Sequence, residues 1–248
     1  MEGQKNIYFA SDTHFGAKYF KDPVEKERCF VRWLDSIKPD CGKLYLLGDM
    51  IDFWYEFKTV VPKGYSRFLG KIAEFSDSGI EVHWFTGNHD IWIFDYISKE
   101  TGAIIHRQPL IVEENGKRFF LAHGDGLGDD SVSFRFMRAL FHNKVLQKMF
   151  TWIHPRWTVS FGLNWSEHSR TSTENQEYLG EEKEHLVQYA KNYLQSHYVD
   201  YFVFGHRHIM LDLMLPQRSR VLIIGDWIYY NSYAVFDGDN IWLEQYEI

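Results

Sequence analysis

The first part of the chain alternates between short apolar runs and stretches with helical spacing, and this alternation restricts the fold more than any other feature. Residues 6–10, 43–47 and 81–86 are apolar runs that end in small or polar residues, as buried strands do. Residues 23–37 and 65–75 place apolar side chains at helical spacing between them. Strands that alternate with helices predict a layered α/β sheet.

The second part of the chain consists mainly of predicted strands. These strands are 110–112, 118–122, 201–204, 210–215, 221–224, 233–236 and 241–246. Turn residues separate them, and one helix is predicted over residues 174–197. With 248 residues, the chain suits a single domain, residues 1–248, in which two packed sheets lie between helices as a four-layered α/β/β/α sandwich.

Residues 131–170 fit neither pattern and predict a helical cap inserted into this domain. The segment contains six Lys or Arg residues and one acid, Glu167, whereas the rest of the chain has 21 basic and 33 acidic residues. It also has sixteen large apolar side chains from Phe134 to Trp165. An alternative is a helical hairpin that buries its apolar face on the sandwich.

Composition excludes several other classes of protein. A net charge of −7 gives no sign of general affinity for nucleic acid. No apolar stretch is long enough to span a bilayer, and the polar residues 1–5 do not resemble a signal peptide. The two cysteines, Cys29 and Cys41, imply no disulfide framework, so we expect a cytoplasmic protein without an obligate protein partner.

Five short motifs contain metal-binding residue types, and each comes just after a predicted strand. They are Asp12-Thr13-His14, Gly48-Asp49, Gly87-Asn88-His89-Asp90, His123-Gly124-Asp125 and Gly205-His206-Arg207-His208. Each motif alone has an ordinary structural explanation, such as a capping turn or a buried histidine. Because sites in α/β sheets form at the carboxyl ends of strands, the five together predict one convergent site.

The donor types in this set favour a pair of divalent cations. Carboxylate and amide oxygens mixed with imidazoles suit Mn²⁺, Fe²⁺ or Zn²⁺, and the lack of a thiolate argues against a structural zinc site. Asp49 is able to bridge two cations. Such a pair activates water and neutralises phosphoryl oxygens, so a phosphoesterase of this kind needs no nucleophilic Ser or Cys.

The ordered motifs resemble the calcineurin-like metallophosphoesterase family, and the resemblance covers most of the chain. It implies that Asp12, His14, Asp49 and His208 hold one cation, and that Asp49, Asn88, His123 and His206 hold the other. It also implies that His89 is a catalytic histidine that donates to the leaving oxygen, with Asp90 orienting its ring. A non-enzymatic interaction module on this fold is the contrary hypothesis, although such relatives should lack metal ligands.

Longer segments are similar to the UDP-2,3-diacylglucosamine pyrophosphohydrolase family of lipid A biosynthesis. They include Asp12-Thr13-His14-Phe15, residues 47–54, His123-Gly124-Asp125-Gly126-Leu127, Phe134-Arg135, His142-Asn143-Lys144 and Gly225-Asp226-Trp227. The resemblance implies hydrolysis of an amphiphilic UDP-sugar lipid to the lipid 1-phosphate and UMP, usually with Mn²⁺, at the cytoplasmic face of the inner membrane.

Substrate contacts are expected from the site itself and from the cap. The expected residues are Asn88, His89 and His206, and the cap arginines Arg135 and Arg170 are candidates from their charge. The chain departs from that family at His89, where an arginine is usual. The alternative is therefore a two-metal phosphoesterase that acts on another substrate, such as a nucleotide or a different lipid-linked diphosphate.

Overall fold

In the computed structural model, which describes residues 5–128, 131–172 and 177–247, two β-sheets stack face to face. The side chains of residues 133–135 and 167–172 lie outside that description. The first sheet has the order β11-β10-β1-β2-β3-β4 and is parallel from β1 to β4. Its strands are β1 (Asn6–Ala10), β2 (Cys41–Leu46), β3 (Glu81–Phe85), β4 (Ile104–His106), β10 (Ser232–Phe236) and β11 (Ile241–Gln245).

The second sheet has the order β5-β6-β7-β9-β8, with a parallel centre and antiparallel edges. Its strands are β5 (Leu110–Glu114), β6 (Lys117–Ala122), β7 (Tyr201–Phe204), β8 (Met210–Met214) and β9 (Arg220–Ile224). Sequence-distant strands therefore pair side by side, and their carboxyl ends meet at one edge.

Helices cover the outer face of each sheet. They are α1 (Pro23–Ile37), α2 (Ser66–Asp77) and α3 (Tyr96–Thr101) on the first sheet, and α7 (His185–Tyr193) on the second. Strand β1 shows why the layers form, because its side chains alternate between faces. Ile7 and Phe9 enter the core between the sheets, whereas Tyr8 and Ala10 face the helices. The predicted four-layered α/β/β/α sandwich is confirmed.

Two features of the fold differ from the prediction. The short elements α3 and β4 were not predicted, because three to six residues are too few to show a period. The helix predicted over residues 174–197 is also too long at both ends, and part of it, residues 174–176, lies outside the described chain. Helix α7 begins only after Glu184, whose carboxylate forms an ion pair with Arg207.

The inserted cap consists of three helices rather than a hairpin. They are α4 (Val132–His142), α5 (Lys144–Phe150) and α6 (Pro155–Ser172). Asn143 separates the first two, because its side chain accepts the amide hydrogens of Val145 and Leu146 and starts a new helix. Trp152 and Trp157 remain 79% and 69% exposed, so the segment does not bury all of its apolar surface on the sandwich.

Side chains of the core fix the cap through the ends of its helices. Trp92 donates through Nε1 to the carbonyl of Phe141 at 3.0 Å, and Tyr55 donates to the carbonyl of Gln147 at 2.7 Å. These carbonyls lie near helix ends, where backbone acceptors lack partners within the helix. The cap is thereby held over the edge at which the parallel strands end.

Candidate metal centre

All predicted metal ligands lie just beyond the carboxyl ends of parallel strands. Asp12, Asp49 and Asn88 follow β1, β2 and β3 of the first sheet, and His123 and His206 follow β6 and β7 of the second. These five strands are central, and their ends meet at a single edge. The stacking of the sheets thus brings together donors as distant in the sequence as His14 and His208, which are 194 positions apart.

The backbone at these strand ends is unusual. Asp12, His14, Asp49, His206 and His208 all have positive φ angles, between 45° and 67°. Residues with a side chain rarely adopt this conformation, and it tends to persist at functional sites because the surroundings enforce it. The sharp turns at these five residues direct their side chains into the same space.

One donor cluster contains Asp12, His14 and His208. The Nε2 atom of His208 lies 3.2 Å from Asp12 Oδ1, and that of His14 lies 3.7 Å from the same oxygen. Asp12 Oδ2 accepts the backbone amide of His206 at 2.9 Å, whereas Oδ1 is buried without a hydrogen-bond partner. A buried oxygen without a partner is costly, so Oδ1 is well placed to bind a cation.

The other cluster contains Asp49, Asn88, His123 and His206. Asp49 Oδ1 accepts the amide of His89 at 2.8 Å, and Oδ2 lies 3.3 Å from His123 Nε2. Asn88 Oδ1 is 3.3 Å from the same imidazole nitrogen. Asp49 Oδ2 is also 3.8 Å from His14 Nε2, so this carboxylate lies between the two clusters.

Neighbouring oxygens orient the imidazole rings of this site. His14 Nδ1 lies 3.2 Å from Asp52 Oδ1, and His208 Nδ1 lies 3.3 Å from Asp226 Oδ2. His123 Nδ1 lies 2.8 Å from the carbonyl oxygen of Leu47. Oxygens at Nδ1 leave Nε2 available as a donor to a metal, which is the usual arrangement around metal-binding histidines.

The carboxylates of the metal-free cluster hold a proton on His208, which a bound cation would displace, whereas Asp12 and His206 are already in the states that bind a cation. Although burial alone would raise the pKa of Asp12, neighbouring His208 and His14 hold it below its ordinary value, so the carboxylate stays ionised. Burial would lower the pKa of His208, but the Asp12 charge raises it to about 10. Burial, aided by nearby His123, lowers the pKa of His206 to about 3, which keeps that ring neutral.

The residues therefore fit a pair of divalent cations. Within the described residues, three overlapping groups each place their donor atoms within 4.8 Å of one another. They are Asp12-His14-His208, Asp49-His123-His206 and His14-Asp49-His89. The donors are oxygens and imidazole nitrogens without a thiolate, which is the set expected for Mn²⁺, Fe²⁺ or Zn²⁺. The third group also brings His89 within reach of a cation.

His89 lies at the edge of this centre, with its Nε2 atom 4.0 Å from Asp49 Oδ2. Its Nδ1 atom lies 2.8 Å from Ser166 Oγ and 3.1 Å from the carbonyl oxygen of Asp52. The expectation that Asp90 orients the His89 ring needs correction. The Asp90 carboxylate is buried and accepts hydrogen bonds from the backbone of Gly87 and Met50 and from the indole of Trp84, so it shapes the loop.

A cavity of about 330 Å³ lies between the metal centre and the cap. His89 and Asn88 line it at the polar end, and apolar side chains of both the core and the cap line the remainder. The apolar residues are Phe53, Ile91, Trp92, Met137, Phe141, Phe161 and Trp165. The candidate substrate residues Arg135 and Arg170 have side chains outside the described part of the chain, but Arg138 does line the cavity.

Three functional candidates were missed in the sequence. Asp52 and Asp226 belong to motifs that the sequence displays, but the rings that they contact become apparent only when the strands are placed. Ser166 carries no signal at all. It is 114 positions from Asp52 and is one of several serines on α6.

Comparisons with known proteins agree with this geometry. The model of the calcineurin-like phosphoesterase family matches residues 5–210. A UDP-2,3-diacylglucosamine hydrolase of Porphyromonas gingivalis is 43% identical, over 98% of this chain and 98% of that protein. Proteins of the same name from Haemophilus influenzae and Neisseria meningitidis are 27% and 25% identical, over 90% and 95% of this chain and 91% and 95% of their own lengths. This chain belongs to the calcineurin-like phosphoesterase family.

Proposed function

We propose that this protein hydrolyses the diphosphate of UDP-2,3-diacylglucosamine to 2,3-diacylglucosamine 1-phosphate and UMP, a step of lipid A biosynthesis. One molecule of water is added as the bond between a phosphorus and the bridging oxygen breaks. The main support is the direct junction of a two-cation donor set with a deep apolar cavity. Relatives that match this chain over at least 90% of its length are named UDP-2,3-diacylglucosamine hydrolases.

The donor residues would hold the cations as two sites that share one carboxylate. Asp12, His14, Asp49 and His208 would hold one, and Asp49, Asn88, His123 and His206 the other. When bound, cations of this kind supply Lewis-acid activation of water and neutralisation of phosphoryl charge. Mn²⁺ is our first choice among the metals that the donor set accepts, with Fe²⁺ and Zn²⁺ as alternatives.

His89 and His206 would contact the diphosphate from opposite sides of the donor set. The neutral His206 ring does not compete for a proton with the reacting water, because its pKa is low. His89 projects into the cavity beside Asn88 and would donate to the oxygen that leaves. The side chains of the cavity exclude bulk water, which strengthens these polar interactions.

The cavity between core and cap would accept the acyl chains. Its size falls in the ordinary range of sites for small ligands, and most of its lining is aromatic or aliphatic. Gly162 allows α6 to approach closely, since any larger residue would collide with the ring of Phe53. An enzyme for a small water-soluble phosphoester would have no use for this lining.

The outer surface of the cap would contact the cytoplasmic face of the inner membrane. Phe136, Trp152 and Trp157 are between 66% and 79% exposed there, and the cations Lys144 and Lys148 are exposed on the same helical insert. Aromatic side chains beside basic residues favour the interface of an anionic bilayer. Among the described residues, no helix is both long and apolar enough to cross a membrane.

The test is an assay of the full chain reconstituted with Mn²⁺, Fe²⁺ or Zn²⁺. Phosphorus NMR should show the diphosphate signals of UDP-2,3-diacylglucosamine replaced by those of two phosphomonoesters. UDP-glucose, which has the same diphosphate without acyl chains, is the matched control and should turn over far more slowly. Equal turnover of the two substrates would support a different phosphoester as substrate, and His89 in place of the usual arginine makes that comparison necessary.

A further inference from the structure

Ser166 joins the cap to the metal centre. It lies on α6, is 3% exposed, and its Oγ atom is 2.8 Å from both Asp52 Oδ1 and His89 Nδ1. A second polar contact from the same helix, between Asn164 and Lys18, lies at the surface. Ser166 therefore provides a buried contact between α6 and the residues around the cations.

The hydrogen atoms of this network can be assigned from its donors and acceptors. A serine hydroxyl has one hydrogen, which Ser166 donates to the Asp52 carboxylate. Its oxygen then has to accept from His89 Nδ1. The carbonyl oxygen of Asp52, also beside Nδ1, is only an acceptor. Two acceptors on one ring nitrogen place the hydrogen on Nδ1 and direct Nε2 toward Asp49.

Asp52 extends the same network to a metal ligand. The oxygen that accepts from Ser166 also lies 3.2 Å from His14 Nδ1. Asp52 is 1% exposed, so these contacts are made in a low-dielectric interior, where hydrogen bonds hold orientation well. One carboxylate thus links a cap residue, a metal-ligand histidine and His89.

We propose that Ser166 is a positioning residue through which the cap sets the ring orientation of His89 and holds a hydrogen on Nδ1, so that the proton for the leaving oxygen would come from Nε2 of the doubly protonated ring. In this arrangement the cap does more than enclose the acyl chains, because displacement of α6 would remove one of the two acceptors at His89 Nδ1. The inference rests on the proposed function for the role of His89 in hydrolysis. It does not depend on which phosphoester is the substrate.

The direct test observes the His89 ring in the metal-free protein labelled with ¹⁵N-histidine. Long-range proton–nitrogen spectra report which ring nitrogen carries the hydrogen, and the His89→Gln variant assigns the signal. We expect a protonated Nδ1 in the wild type. We expect a shift of that resonance toward a tautomer mixture in Ser166→Ala, and recovery in Ser166→Thr, which keeps the hydroxyl. Asn164→Ala, which removes the surface contact of the same helix, should leave the His89 signal unchanged.

A kinetic measurement completes the test with bis-p-nitrophenyl phosphate, which is too small to need the acyl cavity. Ser166→Ala should lower kcat roughly ten-fold with little change in KM, as loss of an orienting contact does. Asn164→Ala should match the wild type. If Ser166→Ala and Asn164→Ala gave the same His89 spectrum, or if Ser166→Thr failed to restore it, the proposal would be overturned. If the protein did not hydrolyse the lipid substrate, the His89 spectra would still test the role of Ser166. The proposed substrate and the proposed role of Ser166 can therefore be rejected separately.

Discussion

The Nε2 atoms of His14 and His208 lie 3.3 Å apart, although 194 positions separate the two residues in the chain. Both rings hold an Asp oxygen at Nδ1, which turns their Nε2 atoms toward each other and toward Asp12. Two ring nitrogens and a carboxylate oxygen that converge in this way are a donor set that suits a divalent cation.

Replacement of Asp49 by alanine should remove both cations, because this carboxylate lies between the two donor clusters. We expect kcat/KM to fall by at least about a hundred-fold, since charge stabilisation of the reacting phosphate is lost. Elemental analysis after dialysis should find little bound metal. Asp35→Ala, which removes an exposed carboxylate paired with Lys71, is the control and should retain metal and activity.

His89→Gln should slow hydrolysis by about a hundred-fold while both cations stay bound, as expected for loss of a proton donor. Metal content and single-turnover rates measured on the same preparation check this. Because His89 also lies within 4.8 Å of donor atoms of His14 and Asp49, the metal analysis is decisive. A variant that lost one cation would show that His89 is a ligand.

Asp226→Asn should weaken one cation site and leave the other nearly unchanged. Asp226 Oδ1 accepts three backbone amide hydrogens, which an amide oxygen would still do, so the fold should persist. Loss of the carboxylate beside His208 should reduce affinity for that cation by about 10- to 100-fold. Competition with a chelating dye measures this. The surface variant Asp212→Asn is the control and should bind both cations normally. If the two variants bound the cations with equal affinity, Asp226 would have no role in cation binding.

Neutralising Lys144 and Lys148 with glutamine should weaken binding to anionic vesicles. Each cation near such a surface contributes about 1 kcal/mol, so the partition coefficient should fall about 30-fold for the pair. Co-sedimentation with vesicles containing phosphatidylglycerol measures this, and hydrolysis of bis-p-nitrophenyl phosphate should not change. The control variant Lys38→Gln/Lys71→Gln makes the same change in net charge outside the cap, at the end of α1 and on α2. If the control weakened vesicle binding as much as the cap variant, the cap would not be the membrane-binding surface.

Acid should destabilise the protein partly through His106. Burial, and the neighbouring His83, lower the pKa of His106 from 6.5 to about 4. Above pH 6.5 the ring is neutral in both states and contributes nothing. As pH falls toward 4, the unfolded chain binds a proton that the folded chain does not, so the free energy of unfolding decreases. His106→Gln should show a shallower loss in denaturant titrations between these pH values, and an identical slope would contradict this.

The strand ends and the metal ligands were predictable because both depend on local sequence. A buried strand has a recognisable apolar run, and Asp12, Asp49 and Asn88 come within three residues of such a run. Parallel strands then bring these residues to one edge whatever the exact order of the sheet. The local sequence pattern and the sheet topology therefore both place these residues at the same edge of the sheet.

Contacts between distant segments were not predictable. Glu184, which precedes α7, forms an ion pair with Arg207, 23 positions further along the chain. Ser166 reaches Asp52 because α6 packs closely against the core at Gly162. The lack of a side chain there permits close approach to Phe53. No periodicity encodes either contact. The role assigned to Asp90 failed for the same reason, since adjacency in sequence does not determine which ring a carboxylate faces.

The exposed aromatic side chains Phe136 and Trp157 belong to α4 and α6, the two cap helices that also line the cavity. A lipid taken from the bilayer would therefore travel a short distance, and its hydrocarbon tails would pass from one apolar environment to another with little exposure to water. The free-energy barrier to extraction of a lipid with two tails would therefore be lower than for a lipid that has to pass through water. With the proposed lipid as substrate, the cap would therefore provide the route from the membrane to the metal centre.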